Sequence, residues 1–498
     1  MNALFSYVRS RVSRRFSLGS LGPNEARIGF DFFAACCALA VALAFESVFP
    51  RLAQERDGVD LVLLPLGFIG LNAVFGIYTS RKTATARVKS ALLALSLAVV
   101  GSTGLLWFGT PSTIVLWALL ASVPVVLARL LLGLPYSKHK DLKALVVKRH
   151  GPVLVVGGAG YIGSHTVELL LDKGLKVRVL DRLMYGAGPL AAFRGDPKFE
   201  LIEGDVTDIT KLTFAMRDVS AVIYLAGLVG DPACAVDAEV TRHANIISTR
   251  MAKDVAQSLG VHRFIFASSC SVYGVSEKEA SEKDELKPVS LYAQTKIDSE
   301  RELLYSVRDD FFVTVLRFAT VFGHSRRPRF DLVGNFFTAQ AMNDGLITVI
   351  GGNQWRPFVH VRDLARAILM VLEADRVLVQ GQIFNVGDKR LNMTILQAAE
   401  VVRAVAGKYR DVGISVRPDE GDRRDYAVCF EKIRTQLGFE AETLMEDGIQ
   451  EMVQHFLTGS YRDYREPVYS NVATTRKFVQ EFYDPDAMAK LYGPLRVG

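Results

Sequence analysis

The sequence predicts a doubly wound α/β sheet preceded by an all-α membrane region of four helices. Three observations carry this reading. Four apolar stretches of span length fill the N-terminal third. A β-branched run, Val153-Leu-Val-Val, then feeds directly into a glycine cluster. Beyond it, strand-like and helix-like segments alternate to about residue 456.

The apolar stretches cover 28–49, 61–80, 90–108 and 112–134, each close to the ~20 residues a helix needs to cross a ~30 Å hydrocarbon core. Through residue 150 the chain has 17 Lys+Arg against 7 Asp+Glu, and the remainder has 42 against 46. The overall charge of +6 therefore belongs to the N-terminal third, and the mildly acidic body argues against nucleic acid as a partner. Basic residues gather before the first stretch (Arg9, Arg11, Arg14, Arg15, Arg27), between the second and third (Arg81, Lys82, Arg87, Lys89) and after the fourth (Lys138, Lys140, Lys143, Lys148, Arg149). By the positive-inside rule both termini, and everything after 134, lie in the cytoplasm. Asp31 and Glu46 fall near the two ends of the first stretch, where carboxylates reach the interface. The expected division is a basic leader (1–27), a transmembrane region (28–135), a linker (136–150), a catalytic body (151–459) and a charged, irregular tail (460–498) that either packs over the substrate side or joins a dimer. Cys36, Cys37, Cys234, Cys270 and Cys429 show neither metal-ligand nor disulfide spacing. That implies a reducing compartment and no structural metal.

The glycine cluster reads Gly157-Gly158-Ala159-Gly160-Tyr161-Ile162-Gly163, and Ile162, Val167, Leu169 and Leu170 continue it with helical spacing. Strand, tight turn and helix in this order form the first βα unit of a Rossmann-type dinucleotide site. There, bare backbone N–H groups and a helix N-terminus meet a pyrophosphate. Gly157, Gly160, Tyr161, Ile162 and Gly163 are the candidate cradle. A second strand over 176–180 ends on Asp181, 18 residues after Gly163. An acidic residue here accepts hydrogen bonds from the ribose hydroxyls and repels a 2′-phosphate, selecting NAD; the adjacent Arg182 pulls the other way. A third strand over 199–202 leads to Gly204-Asp205-Val206, where Asp205 either meets the adenine amino group or closes an Asx-type turn. A fourth, over 221–225, ends in Leu225-Ala226-Gly227, whose small residues let a cofactor lie against the sheet.

A further strand over 264–267 precedes Ser268-Ser269-Cys270-Ser271, and Tyr292-Ala-Gln-Thr-Lys296 opens a helical run. The i, i+4 spacing puts Tyr292 and Lys296 on one helix face. A cation beside a phenol stabilises the phenolate and draws its pKa from ~10 toward neutrality. A strand-end hydroxyl, Ser269, can then hold a substrate oxygen.

Nine motifs stand in order: GGAGYIG, LDR, GDV, LAG, ASSCSVYG, YAQTK, LRFATVFG, WRPFVHVRDLARA and FNVGD. With them the chain, over about 151–456, resembles the extended short-chain dehydrogenase/reductase family, particularly its sugar-nucleotide epimerases and dehydratases. The resemblance implies an NAD-binding sheet joined to a smaller α+β substrate subdomain, and a homodimer. It assigns Ser269, Tyr292 and Lys296 as the catalytic triad and Asn245 as a structural asparagine beside the cofactor. It places Asn335, Arg356 and Arg424 on a nucleotide diphosphate, a task suited to arginine's planar fork. For Arg424 an ion pair with Asp422 or Asp425 competes. Two positions depart from the family pattern. Where 4,6-dehydratases that retain the tyrosine carry Asp-Glu, this chain has Cys270 and Ser271, which disfavours dehydration. Thr320 replaces an asparagine that helps set the substrate, so the sugar stays unread. The basic segment 326–333 reads by default as a solvated loop, with phosphate or membrane-surface contacts as the alternative. Four spans ahead of such a body resemble the architecture of bacterial membrane-bound polysaccharide-biosynthesis dehydratases.

The expectation is a membrane-anchored, NAD-dependent sugar-nucleotide epimerase of a bacterial inner membrane, acting at C4. Its expected partners are a nucleotide-diphosphate sugar, the lipid bilayer and membrane glycosyltransferases. Competing readings are a sugar-nucleotide dehydrogenase or reductase, a 4,6-dehydratase, and a non-catalytic NAD-binding scaffold.

Overall fold

Short apolar runs become strands, and their order in the sheet decides where a ligand can sit. The computed structural model describes residues 151–484 apart from 419, 420, 422, 423 and 462. The four expected spans lie outside the described residues; among the described residues no helix is long and apolar enough to cross a membrane.

The strands are β1 (Val153–Val156), β2 (Val177–Asp181), β3 (Phe199–Glu203), β4 (Ala221–Tyr224), β5 (Arg263–Ser269) and β6 (Phe312–Phe318). They are followed by β7 (Thr320–Phe322), β8 (Leu346–Ile350), β9 (Trp355–His360), β10 (Gln382–Val386), β11 (Asn392–Thr394) and β12 (Gly413–Arg417). The longer helices are α1 (Tyr161–Asp172), α2 (Ser248–Ser258), α3 (Leu291–Tyr305), α4 (Val333–Asp344), α5 (Val361–Glu373), α6 (Ile395–Ala406), α7 (Met445–Leu457) and α8 (Asn471–Tyr483).

Seven strands pair in the order β10-β6-β5-β4-β1-β2-β3, all parallel. A parallel sheet is buried on both faces, which is why β1 and β4 are apolar at every position. Alternate residues serve the two layers. Val155, Ile223 and Ile265 pack with Val167 and Leu170 of α1 and Ile368 of α5. Leu154, Val222 and Phe264 pack with Ala252 of α2 and Leu303 of α3. The strand order reverses between β1 and β4, and the crevice beyond the carboxyl ends of those strands is where such folds take a ligand. A second core, containing Phe322, Phe337, Ile347, Phe358, Val402 and Ile449, joins β7, β8 and β9 to α4, α6 and α7. This is the expected α+β subdomain.

Helix α3 is held on the sheet by charge. Arg317 of β6 and Glu300 of α3 are both 2% exposed, and the guanidinium meets the carboxylate at 2.7 and 3.0 Å. Ser268 donates to the same carboxylate, and Arg317 also donates to the Tyr273 hydroxyl at 3.0 Å, which donates to Asn385 at 2.7 Å. The Glu300 side raises the Arg317 pKa against the opposing effect of burial. Removing one partner from a buried pair strands the other charge, so Glu300→Gln should cost about 3–5 kcal/mol of unfolding free energy in urea titrations. Adding Arg317→Met to that variant should recover part of the loss; a double variant no more stable than the single one would count against the pair as the fastening.

Candidate active site

The glycine turn forms as its spacing predicts. Gly157 takes φ +85°, and a Cβ there would come within 2.8 Å of the Ala226 amide nitrogen. A Cβ on Gly163 would sit 2.2 Å from the Gly157 carbonyl oxygen, so only glycine lets α1 start so close to β1. Gly160 is the N-cap, with no side-chain cap bond and no acidic residue in the first turn. The helix thus presents uncapped amides, and these suit an anion.

These residues open onto a cleft of about 330 Å³ at the carboxyl edge of the sheet. Asp181, Asp205, Val206, Leu225, Ala226, Gly227, Ser269, Tyr292, Lys296, Thr320 and Arg424 line it together with Gly157, Gly160, Tyr161, Ile162 and Gly163. Asp181 ties the turn to β2, accepting from the Ala159 amide at 2.9 Å and from the Leu183 amide at 2.7 Å. Burial raises its pKa, and these two bonds oppose that. Arg182 is neutralised by Asp205 at 2.8 Å and Glu481 at 3.0 Å, which removes its pull toward a 2′-phosphate. Asp205 closes an Asx turn, accepting from the Thr207 amide at 2.8 Å with its other oxygen. Both of its oxygens are thus engaged within the protein.

Ser269, Tyr292 and Lys296 converge from two elements. Ser290 caps α3, accepting from the Ala293 amide at 3.2 Å and donating to Asp231 at 2.7 Å, which sets the turn that carries Tyr292. The Ser269 hydroxyl accepts from the Ser271 amide at 3.2 Å and lies on the cleft with the Tyr292 phenol, whose pKa it draws down. Lys296, 4% exposed, donates to the Ala267 carbonyl at 2.9 Å, with its ammonium 5.8 Å from the Tyr292 ring centre. One expectation is corrected here: burial pushes the Tyr292 phenol above its ordinary pKa, the Cys234 thiol adds to this, and Arg329 and Ser269 oppose it. Desolvation of the phenolate outweighs the neighbouring cations. The same burial pushes Lys296 down to about 8.

Three residues assigned by resemblance stand behind the cleft rather than on its wall. Asn335 is 1% exposed; its amide donates to the Tyr161 hydroxyl at 3.0 Å and to the Arg329 carbonyl at 2.8 Å, while its oxygen accepts from Gly323 N at 2.9 Å. Its hydrogen-bonding capacity is spent inside the fold, so a diphosphate contact is not its position here. Arg356 donates to the carbonyls of Trp355 and Arg424 and lies 5.6 Å from the Tyr426 ring, supporting a residue that does line the cleft. Asn245 sits in a π-helical turn, accepting from Leu228 N at 2.8 Å and donating to Thr295 at 3.1 Å; it shapes the wall under Gly227. Arg424 does line the cleft, and it pairs with the Asp231 carboxylate at 2.8 Å; Asp422 lies outside the described residues.

Two default readings from the sequence are corrected by the structure. The basic segment is not a solvated loop: Arg327 and Arg329 are buried and line the cleft. Nor is the tail irregular. Ser470 caps α8, and Asn471, Phe478, Glu481 and Phe482 of that helix line the cleft as well. Its buried face, Asn471, Thr475 and Phe478, follows the i, i+4, i+7 rule, a signal the surrounding charges obscured.

The model of the NAD dependent epimerase/dehydratase family matches residues 153–387. A UDP-glucose 4-epimerase of Lactobacillus helveticus is 30% identical over 315 residues, 58% of this chain and 91% of the relative. The chain belongs to the NAD dependent epimerase/dehydratase family. A dTDP-glucose 4,6-dehydratase of an Actinoplanes species is 29% identical over 60% of this chain and 96% of its own. The structure of DesIV, a dTDP-glucose 4,6-dehydratase of Streptomyces venezuelae with NAD bound, superposes with a TM-score of 0.57 at 26% identity, covering 64% of this chain and 99% of that one. The family's cofactor is NAD, and this cleft fits it. The uncapped α1 amides suit its diphosphate, the side-chain-free glycine turn admits it, and Asp181 excludes a 2′-phosphate.

Lys296 gives a test of the site's electrostatics. Its folded pKa of about 8 lies below the ordinary 10.5, so the unfolded chain holds more protons between those values and stability rises with pH across that window. NAD-stripped protein should therefore gain on the order of 3 kcal/mol between pH 7 and pH 10.5 relative to Lys296→Met, read as the difference between the two sets of unfolding curves. Parallel curves would show that the ammonium is not desolvated.

Proposed function

We propose that this protein is a membrane-anchored, NAD-dependent sugar-nucleotide epimerase acting at C4 through a transient keto-sugar. The observation that carries the proposal is the convergence of Ser269, Tyr292 and Lys296 in a cleft where, among the described residues, no carboxylate is positioned for dehydration. Cys270 is 1% exposed, donates to the Arg317 carbonyl at 3.2 Å and has its thiol pKa raised by burial. Ser271 reaches the cleft but carries only a hydroxyl. Among the described residues, the carboxylates that line the cleft all have partners: Asp181 two backbone amides, Asp205 and Glu481 Arg182, and Asp231 Arg424 and Ser290. Removing water from a sugar requires an acid and a base that this arrangement does not provide.

Bound in the cleft, NAD supplies a reversible hydride acceptor. Tyr292 would act as the phenolate, ionised once the positive charge of the bound cofactor and the Lys296 ammonium offset the desolvation that raises its pKa in the empty cleft. It would then take the proton of the C4 hydroxyl as that carbon is oxidised, with Ser269 holding the oxygen. Lys296 offsets the phenolate charge. The ketone turns, and Tyr292 returns the proton as the carbon is reduced on its other face. A 4-epimerase among the relatives supports the reaction, and its UDP-glucose name supports a UDP-sugar substrate. The anchor is supported by the four apolar stretches and by the charge bias that puts the body on the cytoplasmic side. Gly157 lies only 23 positions after residue 134, so a short stretch of chain ties the catalytic body to the anchor, and a membrane glycosyltransferase building cell-surface polysaccharide would take the product.

Incubation with UDP-, GDP- and dTDP-sugars, without added NAD(H), should yield an epimer of unchanged mass by mass spectrometry and NMR. Loss of one water would make the enzyme a dehydratase, and stoichiometric use of NADH a reductase. Tyr292→Phe should lower kcat by about 10²–10⁴-fold; full activity of that variant would sink the mechanism. A reporter fused after Gly498 should read cytoplasmic, and a periplasmic signal would overturn the topology.

A further inference from the structure

The reaction leaves one cleft-lining cation unexplained. Arg182, Arg329 and Arg424 each meet a carboxylate, those of Asp205 and Glu481, Asp331, and Asp231. Arg327 is built differently. It is 5% exposed, its guanidinium lies 3.6 Å over the Tyr185 ring, and it donates to the Asn471 side chain of α8. Its Nε has no hydrogen-bond partner among the described residues. Burial pushes its pKa down to about 10, with Arg329 adding to the strain. A desolvated guanidinium with an open donor is costly until an anion meets it.

Its position says which anion. Ser325 donates to the Tyr161 carbonyl at 2.8 Å, shares a 3.2 Å contact with the Ser164 hydroxyl, and accepts from the Arg327 amide at 3.3 Å. The loop is thereby fastened to the first turn of α1, whose uncapped N-terminus stands at the diphosphate position. Tyr185 and Asn471, the two groups that hold the guanidinium, line the same cleft as Gly157 and Gly160. We propose that Arg327, stacked on Tyr185 and held by Asn471, is a second anchor for the cofactor diphosphate beside the glycine turn. Together with α8, it makes NAD a resident group. Planar, bidentate pairing with phosphate oxygens is the chemistry a fixed guanidinium offers. The proposal rests on the cofactor and not on epimerisation, and α8 lies beyond the residues the family model matches.

The test compares the purified full chain with Arg327→Gln, Arg327→Lys and Asn471→Ala. NAD carried through purification is released by denaturation and counted per chain. Stripped protein is titrated calorimetrically with NAD, adenosine and UDP-glucose. Arg327→Gln should weaken NAD by at least about tenfold while leaving adenosine unchanged, and Arg327→Lys should fall between, since it keeps the charge without the fork. The glutamine variant should also melt higher than wild type when stripped and lower when loaded, a crossing that a merely structural arginine would not produce. Equal retention of NAD overturns the proposal, as do equal losses for NAD and adenosine. A loss confined to UDP-glucose would give Arg327 to the substrate's diphosphate instead. Should the glutamine variant fail to fold, Asn471→Ala decides alone, because it leaves the charge and removes its holder: unchanged NAD content would refute the anchor.

Discussion

The buried Glu300–Arg317 pair is the constraint on which the geometry of the site depends. Helix α3 buries Lys296, Ser299 and Glu300 as well as Ala293, Ile297 and Leu303, so apolar packing alone leaves its rotation on the sheet poorly determined. A desolvated ion pair is less permissive, since any other rotation leaves a charge unmet at a cost of several kcal/mol. Arg317 enters from β6 and Ser268 from β5, and both converge on one carboxylate. Fixing Glu300 therefore fixes Lys296 one turn earlier and Tyr292 two turns earlier. On the strand side, Ser268 spends its hydroxyl on Glu300 and leaves its neighbour Ser269 to face Tyr292. The rigidity is electrostatic in origin, and the chemistry inherits it.

What could be read from the sequence was local. The glycine turn, Asp181 at a strand end and the Tyr292–Lys296 pair are fixed-spacing patterns whose geometry follows from the backbone period, and the structure assembles them around one cleft. Pairings across the chain were not legible in the same way. Arg424 meets Asp231 from another part of the chain, a pairing that nearness in sequence does not suggest. Arg182 is met by Glu481, 299 positions away, a separation no periodicity reports. The segment 326–333 looked solvated because charge usually is; its Arg327 and Arg329 are buried because the cleft is built from them. The Tyr292 pKa shows the same limit, since spacing reveals the neighbouring cation but not the desolvation that opposes it.

The first βα unit and the substrate lobe are also stitched together by hydrogen bonds. Tyr161 opens α1, and its hydroxyl donates to the Gly323 carbonyl at 2.6 Å, while Asn335 of α4 donates back to that hydroxyl. The residue that seemed suited to a diphosphate instead binds the two lobes that form the cleft. An asparagine offers two donors and an acceptor in one plane, and here all are used, on the Gly323 amide, the Arg329 carbonyl and the Tyr161 hydroxyl. Holding the lobes in register is a precondition for any ligand that spans them.

Epimerisation sets a demand that an ordinary oxidoreductase does not. The hydride taken from the sugar must return to the same sugar, so a cofactor lost between the two transfers strands a ketone. A net reductase has the opposite need, because its cofactor must leave after every turnover. Helix α8 addresses that difference physically. It brings Phe478 and Phe482 onto the cleft wall, pairs Glu481 with Arg182, and gives Asn471 to Arg327. These contacts cost the entropy of ordering the helix, and only a ligand that stays makes that arrangement useful. On the proposed epimerase reading, cofactor retention and redox-neutral chemistry are two consequences of one architecture, in which α8 lines the cleft that the glycine turn opens.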